Sequence, residues 1–569
     1  MKVVLFNEII ERFYKKEKVK FYFLFPLALI AGLFEFLGLA LIFQFVLFLS
    51  NSNSIYCKKI IVFFENNLNI DDFSMMSLIL GLTIALIYVL KNIYMLIFVK
   101  YNNGILQDLF VKITEKIMKN LLFQDFLISK KIKNEQKINI ITKVNFVVWH
   151  YCNKFINLII NCAIALILIA FLFAKFILVA LSAFIFISIL ALIEYKFLKK
   201  NSTYQNQHFS ACYNQLNSLL LKTVDSIKEI KLNNKQQDFI KNINKNCQNC
   251  AILNKNRAFC EVFHIYFTEI SIMLAFIVIL GILFYTTNFD NQLLITTLST
   301  ICVIILRLTP TINRAQSCLY AINSNESIVV ELLDFDNQFE KDFDYSFNNE
   351  KLALNDSIEL KNVSFSYSDN LGLKNINLKI KKGEFIGIVG HSGCYKTTLS
   401  LIISSLIKPK IGEILIDNKK LEDCQKWQNN VALLSQDYSI LFNEINEINS
   451  SYLEKLNLNK SKNIDELSYG ERQRLALSNI LTTDKEVLIL DEITSSSDVL
   501  VEDEINNILF DLKGKKTIIA IAHRLNVLKY CDKIIYMDEG KIVDIDTFKA
   551  LNDKYEEFRK IIELSSFKI

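Results

Sequence analysis

The sequence predicts a two-part fold: an all-α domain of six transmembrane helices over residues 1–320, a linker over 321–357, and an α/β domain over 358–569. Three observations predict it. Apolar runs long enough to cross a bilayer, which takes about 20 helical residues, crowd the first 312 positions and are absent afterwards. At Ile358 the pattern changes to β alternation, followed by short strands and helices in turn. Within that second half a fully apolar strand, residues 385–389, runs into a glycine-bearing loop and a helix start at Lys396.

Composition agrees. At 569 residues the chain exceeds one ordinary core. Hydrophobic residues at 52%, charged residues at 22% and a mean hydropathy of +0.28 exclude a disordered chain. With 14 Gly and 3 Pro it is not collagen-like, and 12 Cys are too dilute for a disulfide scaffold. The net charge of +5 is the difference between 64 bases and 59 acids, too small a surplus to argue for nucleic acid as a partner.

The six spans are expected at roughly 21–49, 74–98, 155–174, 176–196, 260–285 and 292–312, the third and fourth divided only by Lys175. Buried helices of a soluble α protein are the competing reading; residues 155–174 oppose it, because they contain no charged side chain. Lys and Arg number six in residues 1–20, nine in 99–145 and eleven in 196–258, against two, one and none in the alternate connections. That distribution, 26 against 3, places both termini in the cytoplasm of a multi-pass inner-membrane protein. The first apolar run is too long for a signal-peptide core and is kept as mature structure. The large basic connections stay helix-periodic, with Leu109, Val111 and Ile117 punctuating the charges, so the spans are expected to extend beyond the membrane. Cys247 and Cys250 form a lone Cys-x-x-Cys with no second pair, for which reduced thiols are the expected state rather than a metal site.

The chemistry is carried by the second half. Gly390, His391, Ser392, Gly393, Cys394, Tyr395, Lys396, Thr397 and Thr398 form a strand-to-helix loop of the kind that aims backbone N–H groups and a helix N-terminus at a phosphate. Lys396 would neutralise the β- and γ-phosphates and Thr397 would offer its hydroxyl to Mg²⁺. The loop pattern asks for Gly just before the Lys, where this chain has Tyr395; a side chain there threatens either the nucleotide or the backbone geometry. Farther on, an apolar strand delivers Asp491 and Glu492, and another delivers His523, all at the strand ends where open α/β sheets bind ligands. Asp491 is suited to the Mg²⁺ shell and Glu492 to polarising an attacking water.

The stretch Leu467-Ser468-Tyr469-Gly470-Glu471 resembles the signature of ATP-binding cassette transporters. The order phosphate loop, Gln436, signature, Asp491-Glu492, Asp498, His523 is similar to that family's motif series over residues 358 to about 545. The six spans before it resemble the exporter-type membrane domain. The resemblance implies an α/β P-loop ATP-binding cassette and ATP hydrolysis coupled to transport, with ATP and Mg²⁺ as cofactors. It gives Tyr367 an adenine-stacking role, though Tyr367 also reads as an ordinary strand aromatic. Gln436 would touch Mg²⁺ together with Thr397 and Asp491; Glu492, His523, Gln436 and Lys396 would be catalytic. Ser468 and Gly470 would face the γ-phosphate held by the other subunit, Glu471 would be among the ATP-binding residues, and Asp498 would lie across the dimer interface. One cassette and six spans are half of what the family needs, so a homodimer, or a pair with a homologous half-transporter, is implied. Three departures stand out: Tyr395 and Tyr469 each replace a glycine, and the stretch between Gln436 and Leu467 is short, trimming the helical subdomain.

For the cargo, Arg307 lies at the end of an apolar run, with Lys91 in the second span and His264 in the fifth. Snorkelling for Lys91 and helix-packing hydrogen bonds for His264 are the plain alternatives. Arg307 with its neighbours to Arg314, Phe34-Glu35-Phe36 and Lys231-Leu-Asn resemble the lipid-linked oligosaccharide flippases of bacterial protein N-glycosylation. That likeness implies a cavity for the pyrophosphate of a polyprenyl-pyrophosphate glycan and a short external helix within residues 54–69. An exporter of another lipid, peptide or drug, and a nucleotide-gated or regulatory membrane protein with weak or no ATPase activity, share the same motifs.

Overall fold

The computed structural model describes residues 2–50, 61–62, 64–66, 72–175, 177–286, 291–340, 349–368, 371–435, 452–456, 458, 464–491, 499–521 and 525–566. Some side chains inside these helices, those of Glu35, Phe36 and His264 among them, also lie outside the described residues. The chain divides into two compact units, residues 1–124 with 128–343, and residues 344–569 with 125–127.

The first unit is helical. Its long helices are Leu24–Ser50, Phe73–Phe123, Asn153–Lys175, Ile177–Asp225, Gln236–Thr286 and Asn291–Asp336, one for each expected span. Among the described residues, three helical stretches, Phe73–Phe123, Asn134–Phe173 and Gln236–Ile282, are long and apolar enough to cross a membrane. The polar extensions are as long as the charge-laced periodicity requires. Leu106, Leu109, Ile113 and Ile117, at 1% exposure or less, form one stripe that packs on Phe6, Ile10, Val144 and Val148. Val111 lies off that stripe and is 52% exposed. The last helix runs unbroken to Asp336, well past the expected boundary at 320, because nothing between Asn313 and Asp336 breaks a helix. Asp336 ends it in a polar knot, accepting from Asn120 Nδ2 at 3.1 Å and Lys116 Nζ at 3.3 Å and pairing with Arg12 at 3.5 Å. The short external helix expected within 54–69 falls mostly outside the described residues.

Among the described residues the second unit holds two sheets. One is antiparallel, in the order β2–β1–β4–β5, built from β1 (Ser357–Ser368), β2 (Leu371–Lys381), β4 (Ile411–Ile416) and β5 (Lys419–Lys420). The other runs β10–β9–β3–β8–β7–β6, from β3 (Phe385–Gly390), β6 (Val431–Leu434), β7 (Val487–Asp491), β8 (Thr517–Ile521), β9 (Lys533–Asp538) and β10 (Lys541–Asp546). All of its pairings are parallel except β9 with β10. Residues of β3, β7 and β8 are buried along their whole length, which is why these strands read as uninterrupted apolar runs. Asp491 pairs with Ile521, and Ile521 with Ile388, so the three strand ends lie side by side along one edge of the sheet.

Candidate nucleotide site and the intramembrane cation

The loop after β3 is shaped by close approach. A Cβ on Gly390 would come within 2.2 Å of the Met537 carbonyl oxygen, so only glycine lets β9 lie against this strand end. Gly393 turns the chain at φ +87° with nothing within 4 Å of where its Cβ would stand. His391 and Ser392 are exposed at the crest. Cys394 is buried, and loss of solvation pushes its thiol pKa up, with the nearby Lys396 charge opposing; it is a packed apolar side chain rather than a nucleophile.

Tyr395 resolves one half of the concern raised by its sequence. It adopts φ +69° and ψ +29°, the left-handed conformation a glycine would take, immediately before the helix Lys396–Ile403. The backbone geometry is therefore reached, at a cost of about 1–2 kcal/mol. Its half-buried ring leans toward the β9–β10 turn, where a methyl on Gly540 would lie 3.4 Å from Cδ2.

Lys396 is 7% exposed, and its ammonium donates to the carbonyls of Gly390 at 2.8 Å and His391 at 3.0 Å, which tethers it beneath the loop. Thr397 Oγ1 donates to Asp491 Oδ2 at 2.9 Å. The fold thus joins a helix-start hydroxyl and a strand-end carboxylate 94 residues apart, both oxygen donors of the hard type that Mg²⁺ takes. Tyr367 stands at the rim with its hydroxyl 3.3 Å from Thr398 Oγ1 and its ring edge-on to Phe365, 44% exposed. These residues fit a Mg-nucleotide: N–H groups and a helix start, a buried cation, and two oxygen ligands for a metal.

The signature opens the helix Tyr469–Thr482. Ser468 caps it, its Oγ accepting from Glu471 N at 3.3 Å while Glu471 Oε2 accepts from Ser468 N at 2.8 Å. The reciprocal cap engages only the acceptor side of the serine hydroxyl, whose proton stays available for an anion. Tyr469 is 58% exposed beside it and Gly470 is in the first turn. Gln436, Glu492, Asp498 and His523 lie outside the described residues, as does most of the stretch between Gln436 and Leu467.

In the first unit, Arg307 Nη2 donates to the hydroxyl of Tyr88 at 2.7 Å, with its guanidinium carbon 5.5 Å from the ring centroid. Lys91, 5% exposed, places its amine 5.2 Å from the same ring. Two of the expected intramembrane cations therefore meet at one tyrosine; the His264 side chain lies outside the described residues. Tyr88 is absent from the sequence reading. Its signals were its place one turn before Lys91 and the matching Gly38, where a Cβ would sit 3.1 Å from the tyrosine ring. Just beyond Arg307, Pro310 sits inside the helix, so the Leu306 carbonyl has no N–H of residue 310 to accept. Thr309 and Thr311 hydroxyls donate to the carbonyls of Ile305 and Arg307 at 2.8 and 2.9 Å on either side.

Residues 373–495 match the family model described as ABC transporter. The beta-(1-->2)glucan export ATP-binding/permease protein NdvA of Agrobacterium vitis is 28% identical over 246 residues, 38% of this chain and 42% of that protein. The ATP-dependent lipid A-core flippase of Syntrophus aciditrophicus (strain SB) is 32% identical over 239 residues, 37% of this chain and 40% of its own. In these alignments the chain spans about two fifths of the length of the curated relatives it matches. The structure of a bacterial Atm1-family ABC exporter with ATP bound is similar with a TM-score of 0.71 at 18% identity, covering 96% of this chain and 97% of that one. The fold is that of an exporter: a helical transmembrane domain followed by an α/β ATP-binding cassette.

Proposed function

We propose that the chain is half of an ATP-driven membrane exporter, acting with a second copy of itself or a homologous half-transporter, and that it hydrolyses ATP to move an amphipathic lipid with an anionic headgroup. In its finest form the cargo is a polyprenyl-pyrophosphate-linked oligosaccharide, flipped across the inner membrane by a protein with both termini in the cytoplasm. The observation that carries the ATPase part is the Thr397–Asp491 contact at 2.9 Å beneath a loop that holds Lys396. Bound there, Mg-ATP supplies the phosphoryl bond whose cleavage drives the cycle. Thr397, Asp491 and Gln436 would hold the metal, Lys396 and the loop amides the phosphates, and Tyr367 the adenine. Glu492 would take a proton from the attacking water and His523 would hold the γ-phosphate. Ser468, Gly470 and Glu471 would present their helix start to the nucleotide of the partner copy, with Asp498 at the interface between copies.

What supports the cargo is the pairing of Arg307 with Tyr88, next to Lys91 in a helix long and apolar enough to cross a membrane. A planar guanidinium presents the fork of donors that a pyrophosphate or another headgroup anion takes, and a cation among apolar spans suits a headgroup carried on a lipid tail. The relatives' printed names, a glucan exporter and a lipid A-core flippase, are in keeping with a lipid or glycan cargo. The test is reconstitution in liposomes with a fluorescent polyprenyl-pyrophosphate glycan, expecting ATP-dependent loss of inner-leaflet protection. If ATP leaves that probe protected while another lipid or a peptide moves, the flippase reading falls and the broader exporter reading stands.

A second reading, a nucleotide-gated or regulatory membrane protein, draws on Tyr469, which stands 58% exposed at the helix start that would meet a phosphate. Phosphate release by the purified protein, compared with Glu492→Gln, separates the two. Equal, negligible turnover in both favours gating.

A further inference from the structure

Helices Ile177–Asp225 and Gln236–Thr286 pack along each other as an antiparallel hairpin, closed by the short helix Ile227–Leu232. On this hairpin the fold adds a third cysteine to the Cys247-x-x-Cys250 pair. Cys212 Sγ lies 2.6 Å from Cys250 Sγ, across 38 residues of sequence. Unbonded heavy atoms sit comfortably at about 3.5–4.0 Å, and a disulfide bond is about 2.05 Å, so the two sulfurs are aimed at one another at closer than ordinary packing distance. Cys250 is buried, Cys212 half-buried and Cys247 exposed. Among the described residues no group of three or more His, Cys, Asp or Glu is placed to hold a metal.

We infer that Cys212 and Cys250 are a reversible thiol–disulfide modification site whose co-substrate is a small disulfide of the glutathione class. Cys212, the more accessible of the two, loses its proton and attacks one sulfur of the small disulfide. That S–S bond breaks, a mixed disulfide forms on Cys212, and one small thiol leaves with a proton. Cys250 then attacks the Cys212 sulfur, forming the protein disulfide and releasing the second small thiol. Two protein thiols are oxidised, one small disulfide is reduced to two thiols, and two electrons move in all. Cys247 has the chemistry for the first step alone, and so keeps the mixed disulfide. In a reducing compartment the pair rests as thiols; a rise in small disulfide staples the hairpin.

The experiment uses the purified full-length chain, reduced, freed of reductant, exposed to oxidised glutathione, alkylated and digested with trypsin without reduction. The peptide of residues 201–222 carries Cys212, and that of residues 246–255 carries Cys247 and Cys250. The expected product links these two peptides, disappears on reduction, runs at monomer mobility on a non-reducing gel, and survives Cys247→Ser. Cys212→Ser and Cys250→Ser each cut it at least tenfold. The inference is overturned if wild-type protein gives these cysteines only separate alkylation or mixed disulfides, if the link persists in Cys250→Ser, or if it appears only in a dimer band. The wild-type peptide map decides the matter even where a serine variant fails to fold.

Discussion

Replacing Tyr395 by Gly and, separately, by Ala isolates the backbone cost of this loop. Both variants lose the same ring, so its packing cancels between them. What remains is the conformation at φ +69°, about 1–2 kcal/mol against Ala, offset by the greater freedom Gly loses on folding, about 0.4–1 kcal/mol. The net is about 1 kcal/mol in favour of Gly, which for a unit of this size corresponds to a melting point about 2–4 °C higher. The chain supplies its own reporter. It has two Trp, and Trp427 is fully buried in the second unit, its Nε1 donating at 2.8 Å to the carbonyl of Ile403, the last residue of the helix that Tyr395 precedes. In a Trp149→Phe background, thermal melts followed by fluorescence therefore read that helix directly. An Ala variant that melts at or above the Gly variant would refute the left-handed geometry and the strain argued from it. Phosphate release measured on the same samples then shows whether the tyrosine ring itself slows turnover.

Thr397→Ala is expected to raise the Mg²⁺ concentration for half-maximal ATP turnover about 10–100-fold, with Thr397→Ser restoring most of it; a Mg²⁺ titration of phosphate release checks both. Arg307→Ala is expected to slow cargo movement in liposomes at least about tenfold, the loss of one charge-assisted hydrogen-bonding group, while Arg307→Lys, lacking the planar fork, recovers only part. Asp417 gives a pH prediction. Burial would raise its pKa, but backbone N–H bonds from Asp356, Asn355 and Ser357 and the Asn355 amide outweigh that and hold it below its ordinary value. A depressed carboxylate pKa contributes stability that is complete above the unfolded value, about pH 4, and is lost as pH falls through the folded one. The stability gap between wild type and Asp417→Asn should therefore be flat above about pH 5 and close below about pH 4, as urea melts across that range will show.

The strand ends that border the candidate nucleotide site are legible because a strand buried on both faces has no polar residue to interrupt it. An aspartate at its end then stands out, as Asp491 does. The helices were legible from apolar length, yet which side of each faces inward was not: Ile113 and Ile117 are buried and Val111 is not, a distinction set by the 3.6-residue turn and the neighbour it meets. Tyr88 and Cys212 were invisible for a different reason. Each becomes significant only through a residue far away in sequence, Arg307 at a separation of 219 and Cys250 at 38, and no local pattern encodes such a meeting. How far the last helix continues past its apolar run is not encoded in hydropathy, because polar residues such as Asn325 and Asp336 are buried and bonded there.

Pro310 leaves one rung missing from the ladder of a 46-residue rod, within a single turn of Arg307. A rod bends first where it is thinnest, and here the threonine hydroxyls at 309 and 311 already draw on the neighbouring carbonyls. Torque applied at the far end, near Asp336, would therefore be taken up first at that turn, one turn of helix from Arg307.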